Sequence, residues 1–278
     1  GFYLFMSILE DSGLLPRIAV LTDRLLNIIG LNGKAVIPLI LGFGCVTMAI
    51  MTTRILGSKR ERFIATMLLS VAVPCSAQLG VIMGIAAALS PELMSIYAAS
   101  IFLIFIILGI LLERLLPGKS SDLLIDIPPL RTPQLKNILR KTASKSKMFL
   151  SEAGPLFFLG AVIITILQYT EILSLISNAF SPITVILLQL PKEVTNIFIM
   201  GIIRRDFGAA GLNSMVSEGL LTPPQAVVAL VVITLFVPCI ASIMIIFKER
   251  KLFHALMIWL SSFVIAFIAG GIVSHILI

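Results

Sequence analysis

Apolar positions along this chain gather into runs of about 20 residues, the length an α-helix needs to cross the hydrocarbon core of a bilayer. These runs lie at 33–53, 63–89, 93–116, 148–169, 225–247 and 253–277, and each predicts a spanning helix. Residues 1–9 read as the end of a further span. Two stretches depart from the pattern. Over 10–32, Glu10, Asp11, Arg17, Asp23 and Arg24 fall between apolar positions, which suits an amphipathic or protein-buried helix. Over 172–203 an apolar run is interrupted by Pro182, Pro191 and the pair Lys192 and Glu193, which predicts two short helices or a re-entrant hairpin.

The polar positions between the runs set the orientation. Arg54, Lys59, Arg60 and Arg62 flank one turn and are opposed only by Glu61. The linker 117–147 carries Lys119, Arg131, Lys136, Arg140, Lys141, Lys145 and Lys147 against Asp122 and Asp126. Lys248, Arg250 and Lys251 form a third cluster beside Glu249. The positive-inside rule places all three in the cytoplasm. An even number of crossings must then separate the linker from Lys248, so 172–224 crosses twice or not at all. Within the linker, 127–133 reads as extended around its prolines. Residues 134–150 read as a basic amphipathic helix on the inner surface, or as a solvated connector. The organisation expected is a first membrane half (1–116), a basic cytoplasmic linker (117–147) and a second membrane half (148–278).

Composition fixes the solvent. Of 278 residues, 58% are hydrophobic and 13% charged, and the mean hydropathy is +1.10. A water-soluble domain carries about a quarter of charged residues, so lipid must surround most of this chain. The net charge of +7 sits in the loops, where it suits anionic lipid head groups and gives no reason to expect nucleic acid. The three cysteines form no CxxC spacing, which argues against a disulfide framework and against a structural zinc site. No phosphate-binding glycine loop, Ser/His/Asp arrangement or HExxH occurs, so no enzyme activity is expected. No basic segment precedes an apolar run as in a signal peptide. The sequence opens inside a hydrophobic segment without an initiator Met, as a piece of a longer polypeptide would.

A weak internal repeat organises the chain. Ile40-Leu41-Gly42 resembles Ile199-Met200-Gly201, and Pro74-Cys75-Ser76-Ala77 resembles Pro238-Cys239-Ile240-Ala241. Each half places a Gly-interrupted helix ahead of a helix carrying Pro-Cys. Matching broken segments in two halves mark the substrate sites of transporters.

All three cysteines fall at such breaks. Gly42 and Gly44 weaken the helix that leads into Cys45, and Met48 follows nearly one turn on. Pro74 and Pro238 precede Cys75 and Cys239, and each removes a helical hydrogen bond and frees a carbonyl about a turn earlier. A thiol beside a freed carbonyl is a transient cation site, and sulfur favours Cu(I) or Fe(II) over Mg2+ or Ca2+. Ser76 and Gln78 add oxygen donors near Cys75. Small buried cysteines and a core methionine are the plainer alternative. Glu193 is a metal ligand, a proton carrier, or with Lys192 a salt-bridged helix start. Glu10 and Asp11 could collect cations at a pore mouth, or Asp11 and Ser12 could cap a helix.

These residues also carry a resemblance. Leu9-Glu10-Asp11-Ser12-Gly13, with Arg17 and Asp23-Arg24-Leu25, resembles the opening of the membrane domain of FeoB ferrous-iron transporters. Gly30-Leu31-Asn32-Gly33-Lys34 and the segment Ile37 to Cys45 are similar to that family's block ending in GFGC, and Arg54 with Arg60-Glu61-Arg62 to its next basic loop. Cys75-Ser76-Ala77, Pro191-Lys192-Glu193-Val194, the segment Phe236 to Ala241, and Lys248-Glu249 follow in the family's order. The sequence departs from it at Leu14-Leu15-Pro16, at Val46-Thr47-Met48 after GFGC, and at Gln78.

The resemblance implies an all-α, polytopic integral membrane helical bundle with two Gate-type half-repeats and broken helices. It implies an Fe2+ permease in the cytoplasmic (inner) membrane of a prokaryote. Its ion path would use Cys45, Cys75, Cys239, Glu193 and Met48. Fe2+ would be the cargo, with no permanently bound cofactor. The partners implied are a GTP-binding domain, in cis or as a separate subunit, a small cytoplasmic accessory protein and further copies of the chain. A nucleoside or organic-solute carrier and a non-transporting scaffold are the rivals.

Overall fold

The computed structural model describes residues 2–86, 89–118, 134–169, 184–185, 187–191, 193–203, 205–236 and 239–277. Among these the chain is helical throughout, with no strand. Helix α1 (Phe2–Asp11) turns at Gly13, whose φ of 76° only glycine adopts without strain, into α2 (Leu14–Ile28). Helix α2 buries Leu15, Ala19 and Leu26 and leaves Leu21, Leu25 and Ile28 exposed. It is the one-sided helix the sequence predicts, although its outer face is itself rich in leucine.

The chain then bends by 109° into α3 (Val36–Gly44), through a short 3-10 turn at Gly33–Ala35. Asp23 fixes this corner by accepting the Gly33 amide at 2.6 Å, and Asn32 caps the turn by accepting the Lys34 amide at 3.1 Å. After one extended residue, Cys45 (φ −146°, ψ 112°), α4 (Val46–Thr52) begins and ends in a second 3-10 turn, Thr53–Ile55. The predicted single span over 33–53 is therefore corrected to two short helices packed against each other. Each is roughly 10–14 Å long at 1.5 Å per residue, less than half of a hydrocarbon core of about 30 Å. The glycines that lower helix propensity and the extended Cys45 make the break.

Helix α5 (Lys59–Val71) starts on a capping box, in which the Ser58 hydroxyl accepts the Glu61 amide and the Glu61 carboxylate accepts the Ser58 amide. Pro74 interrupts it before α6 (Ser76–Ala86). Helix α7 (Pro91–Leu115) opens with proline in its first turn. Helix α8 (Leu135–Tyr169) is one 35-residue helix, so the basic amphipathic segment and the predicted span 148–169 are continuous across residues 147 and 148.

Helices α9 (Glu193–Ile203) and α10 (Arg205–Ser217) form a hairpin. A Cβ on Gly208 would lie 2.7 Å from the Gly201 Cα, and Gly211 packs on Ile197. Residues 170–183, 186 and 192 lie outside the described ones, so the two short helices or re-entrant hairpin expected over 172–203 are described only in part. Helices α11 (Pro223–Phe236), α12 (Ile240–Glu249) and α13 (Leu252–Leu277) complete the chain.

Among the described residues, four spans are long and apolar enough to cross a membrane: Lys59–Ala86, Pro91–Leu115, Pro223–Glu249 and Leu252–Leu277, with a fifth if the bent α2 and α3 count as one. Burial separates centre from periphery. The α11–α12 span is 69% buried and α7 only 22%, so α11 is the core helix and α7 presents Phe102, Leu103 and Ile107 outward. Every residue from Ala226 to Phe236 is buried. Gly270 lets α13 approach α11, since a Cβ there would meet Val232 at 2.3 Å.

The two halves grip each other by their broken elements: α4 packs on α12, and α10 packs on α6. At one end of the bundle the polar groups interlock. Arg54 binds Glu249 through Nε at 2.9 Å and through a second guanidinium nitrogen. Arg60 donates to the carbonyls of Glu113 and Leu116, at 2.8 and 3.0 Å. The basic clusters of 54–62 and 248–251 therefore share a face, which agrees with the common side expected for them.

Candidate metal-ion pathway

Each of the three cysteines immediately precedes the first residue of a helix. Cys45 leads into Val46 of α4, Cys75 into Ser76 of α6, and Cys239 into Ile240 of α12. Their carbonyls accept the first intrahelical bonds, from Ala49, Leu79 and Ile243 respectively, at 2.9–3.0 Å. A side chain in that position lies beside amides that have no helical acceptor. All three are free thiols, partly buried.

Cys45 and Cys239 belong to one neighbourhood. The Thr47 hydroxyl shares a 3.1 Å hydrogen bond with the Ser242 hydroxyl, and Ser242 in turn shares one of 3.2 Å with the Cys239 thiol. The Thr47 hydroxyl and the amides of Thr47 and Met48 face the Cys45 sulfur, which lies within electrostatic reach of Cys239 and of the Tyr3 phenol. Thr47 and Ser242 are 1% and 0% exposed.

Register explains the convergence. Thr47 and Ser242 are 195 residues apart, and so are Arg54 and Glu249. A constant offset means that α4 and α12 run parallel. Both cysteines therefore lie at the same end of the pair, with the Arg54–Glu249 ion pair at the other. Seven residues of helix separate the two levels, roughly 10 Å.

Cys75 stands at the other break. Its amide donates to the side-chain Oε1 of Gln78 at 3.2 Å, and Gln78 Nε2 donates to the Ile233 carbonyl at 3.3 Å. Gln78 thus closes the first turn of α6 and ties it to α11. Ser76 donates to the Gly44 carbonyl at 2.9 Å, which joins the α6 break to the α3 break. Gly42 lets α3 approach α5, since a Cβ there would meet Leu69 at 2.6 Å. Pro74 is buried within its break; Pro238 lies outside the described residues.

The other predicted donors are placed differently. Met48 is 3% exposed and its side chain belongs to the apolar core, while its amide faces Cys45. Glu193 is the exposed first residue of α9. Among the described residues, no three His, Cys, Asp or Glu side chains converge as a closed metal site. Glu10 pairs with Lys145 and, at 3.6 Å, with Lys141. Asp11 accepts the Gln134 amide at 2.9 Å and pairs with Lys141 at 3.3 Å. These carboxylates bind α8 to α1. The arrangement as a whole offers a cation sulfur and oxygen at successive breaks, without a cage.

The sequence reading did not single out Thr47 or Ser242. Ser242 stands three residues after Cys239, where Gln78 stands after Cys75, so the repeat contained a signal for it.

Comparison with known proteins places the chain. The Gate family model, described as "Nucleoside recognition", matches residues 1–89 and 150–253. Residues 93–145, between the two matched stretches, match the model described as "Ferrous iron transport protein B C terminus". The chain belongs to the FeoB ferrous-iron transporter family. A relative named Fe(2+) transporter FeoB, from Staphylococcus aureus, is 32% identical over 276 residues, which cover 89% of this chain and 41% of the relative. The FeoB of Methanocaldococcus jannaschii is 27% identical over 97% of the chain and 45% of its own length. A Porphyromonas gingivalis protein named as a fusion of Fe(2+) transport protein A and FeoB is 36% identical over 60% of the chain and 20% of its own length. The chain spans about two fifths of the length of the S. aureus FeoB it matches. No solved structure matches it. As in its FeoB relatives, which are named as transporters, the fold is that of a helical membrane domain.

Proposed function

We propose that this chain is the membrane permease part of an Fe2+ importer, moving the ion across the cytoplasmic membrane into the cell. The observation that carries the reading is the placement of a cysteine at each of three helix breaks, two of them joined through Thr47 and Ser242. Fe2+ is a borderline ion that accepts sulfur and oxygen together. Transport requires ligands strong enough to replace water and weak enough to release the ion. Separate sulfur and oxygen waypoints suit that need better than a closed thiolate cage. Fe2+ is cargo here, and no resident cofactor enters the proposal.

Energy coupling is assigned to a GTP-binding domain, in cis or as a separate subunit, acting at the face where Arg54, Arg60 and Arg250 lie. The P. gingivalis fusion supports a small accessory protein as a further partner, and a homo-oligomer is the assembly proposed. The nucleoside reading has on its side only the description of the Gate model. Uptake of labelled Fe2+ by cells lacking other importers tests the proposal, using the full polypeptide with Cys45→Ser, Cys75→Ser or Cys239→Ser. Uptake should fall in each; wild-type uptake in all three would overturn it.

A further inference from the structure

Hydroxyl side chains in apolar helices usually bond back to their own helix, and several here do so, while Thr184 and Thr195 share a 2.7 Å bond and Thr234 also reaches the Tyr97 hydroxyl at 3.0 Å. Thr52 donates to the Met48 carbonyl, Ser70 to that of Thr66 and Thr234 to that of Leu230, each four residues earlier. Thr47 and Ser242 bond instead to each other, across the contact between the halves, and Ser242 to a thiol. Both are fully buried.

We propose that Thr47 and Ser242 are cation ligands, which with Cys45 and Cys239 form a two-sulfur, two-oxygen waypoint built from both half-repeats. This rests on the ferrous-iron reading of the same region and adds the donors that set its preference among metals. The charges match: two thiolates neutralise a divalent ion, and two neutral hydroxyls add coordination without further charge. Each thiol releases its proton to solvent as the ion binds. The hydroxyls also supply hard character. Without them the site is two sulfurs, which suits thiophilic ions such as Cd2+ or Cu(I) and serves Fe2+ and Co2+ poorly. At roughly 10 Å from the Arg54–Glu249 pair, the waypoint is the last one before the cytoplasmic charges.

The test uses Co2+ as a spectroscopic stand-in for Fe2+, titrated into the purified full polypeptide. A thiolate-to-Co2+ charge-transfer band should appear and should vanish in Cys45→Ser and Cys239→Ser. Thr47→Val and Ser242→Ala should each weaken Co2+ binding by about tenfold and leave Cd2+ binding within about twofold. Thr47→Ser and Ser242→Thr, which restore the oxygen, should restore Co2+ affinity. Two results would overturn the waypoint: a wild-type protein without the band, or hydroxyl-free variants that bind Co2+ as the wild type does. Equal loss of Co2+ and Cd2+, with no recovery in Thr47→Ser, would also overturn it, because it would show a packing role. A protein that shows the Co2+ pattern but takes up no Fe2+ would sink the transport reading and leave the site standing.

Discussion

Arg250 donates to the Thr66 hydroxyl at 2.6 Å, and the same guanidinium nitrogen reaches the Thr53 hydroxyl and the Arg62 carbonyl, at 3.0 and 2.7 Å. One side chain thus fastens the corner between α12 and α13 to α4 and α5. Burial holds its pKa down, to about 10. Because the folded value is the lower one, the charged form is the form that folding disfavours. At neutral pH both states are protonated, so the penalty is full and constant. Stability from this group should rise only as pH climbs above about 10. Arg250→Ala should cost about 2–3 kcal/mol through the unpaired acceptors it leaves. Thermal unfolding in detergent should show that loss unchanged across the neutral range.

Cys45 and Cys239 share one neighbourhood, while Cys75 stands at a separate break. In Fe2+ uptake, Cys45→Ser and Cys239→Ser should each cost about tenfold, and the double variant should be little worse than either single one. Adding Cys75→Ser should multiply the loss. A double-mutant cycle reads the distinction directly. Multiplicative loss for the Cys45 and Cys239 pair would show that they act at separate steps.

The Glu10–Lys145 pair holds the start of α8 against α1, with Thr142 and Ser7 in contact at 3.2 Å. Both charged side chains are partly exposed, so the pair should contribute no more than about 1 kcal/mol and should weaken with salt. Lys145→Glu should speed tryptic cleavage at Lys136 and Arg140. The exchange Glu10→Lys with Lys145→Glu should slow it again.

Close approach at glycine separates two kinds of site. Gly208→Ala pushes a methyl into the Gly201 backbone, and Gly270→Ala pushes one into Val232. Each should cost about 1–3 kcal/mol. Gly84 lies in α6 with nothing within 4 Å of its would-be Cβ. Gly84→Ala should stabilise the helix by up to about 1 kcal/mol. Melting temperatures of the three variants should diverge accordingly.

The breaks were legible in the sequence because they are local: Gly42, Gly44 and Pro74 act on the turn in which they sit. The membrane helices were legible from the length of their apolar runs. What could not be read was direction after a break. A run from 33 to 53 is long enough to span, and only the extended backbone of Cys45 shows two short helices. The unbroken α8 was hidden by the change in polarity near residue 148, which alters a helix's solvent without ending the helix. Thr47 and Ser242 were missed for a different reason. A threonine in an apolar helix has an acceptor four residues back, so nothing local tells which hydroxyl will turn outward to another helix. Glu10 and Asp11 were read as carboxylates open to cations, and their basic partners lie more than a hundred residues away.

The parallel contact of α4 with α12 also sets when the proposed waypoint can be complete. Nearly two hundred residues separate its two sides, so during synthesis the first half waits in the bilayer with Cys45 and Thr47 but without Cys239 and Ser242. Loop closure over that distance comes late in assembly. An unfinished chain therefore holds only half of the proposed waypoint, which is complete only once the last helices have been made.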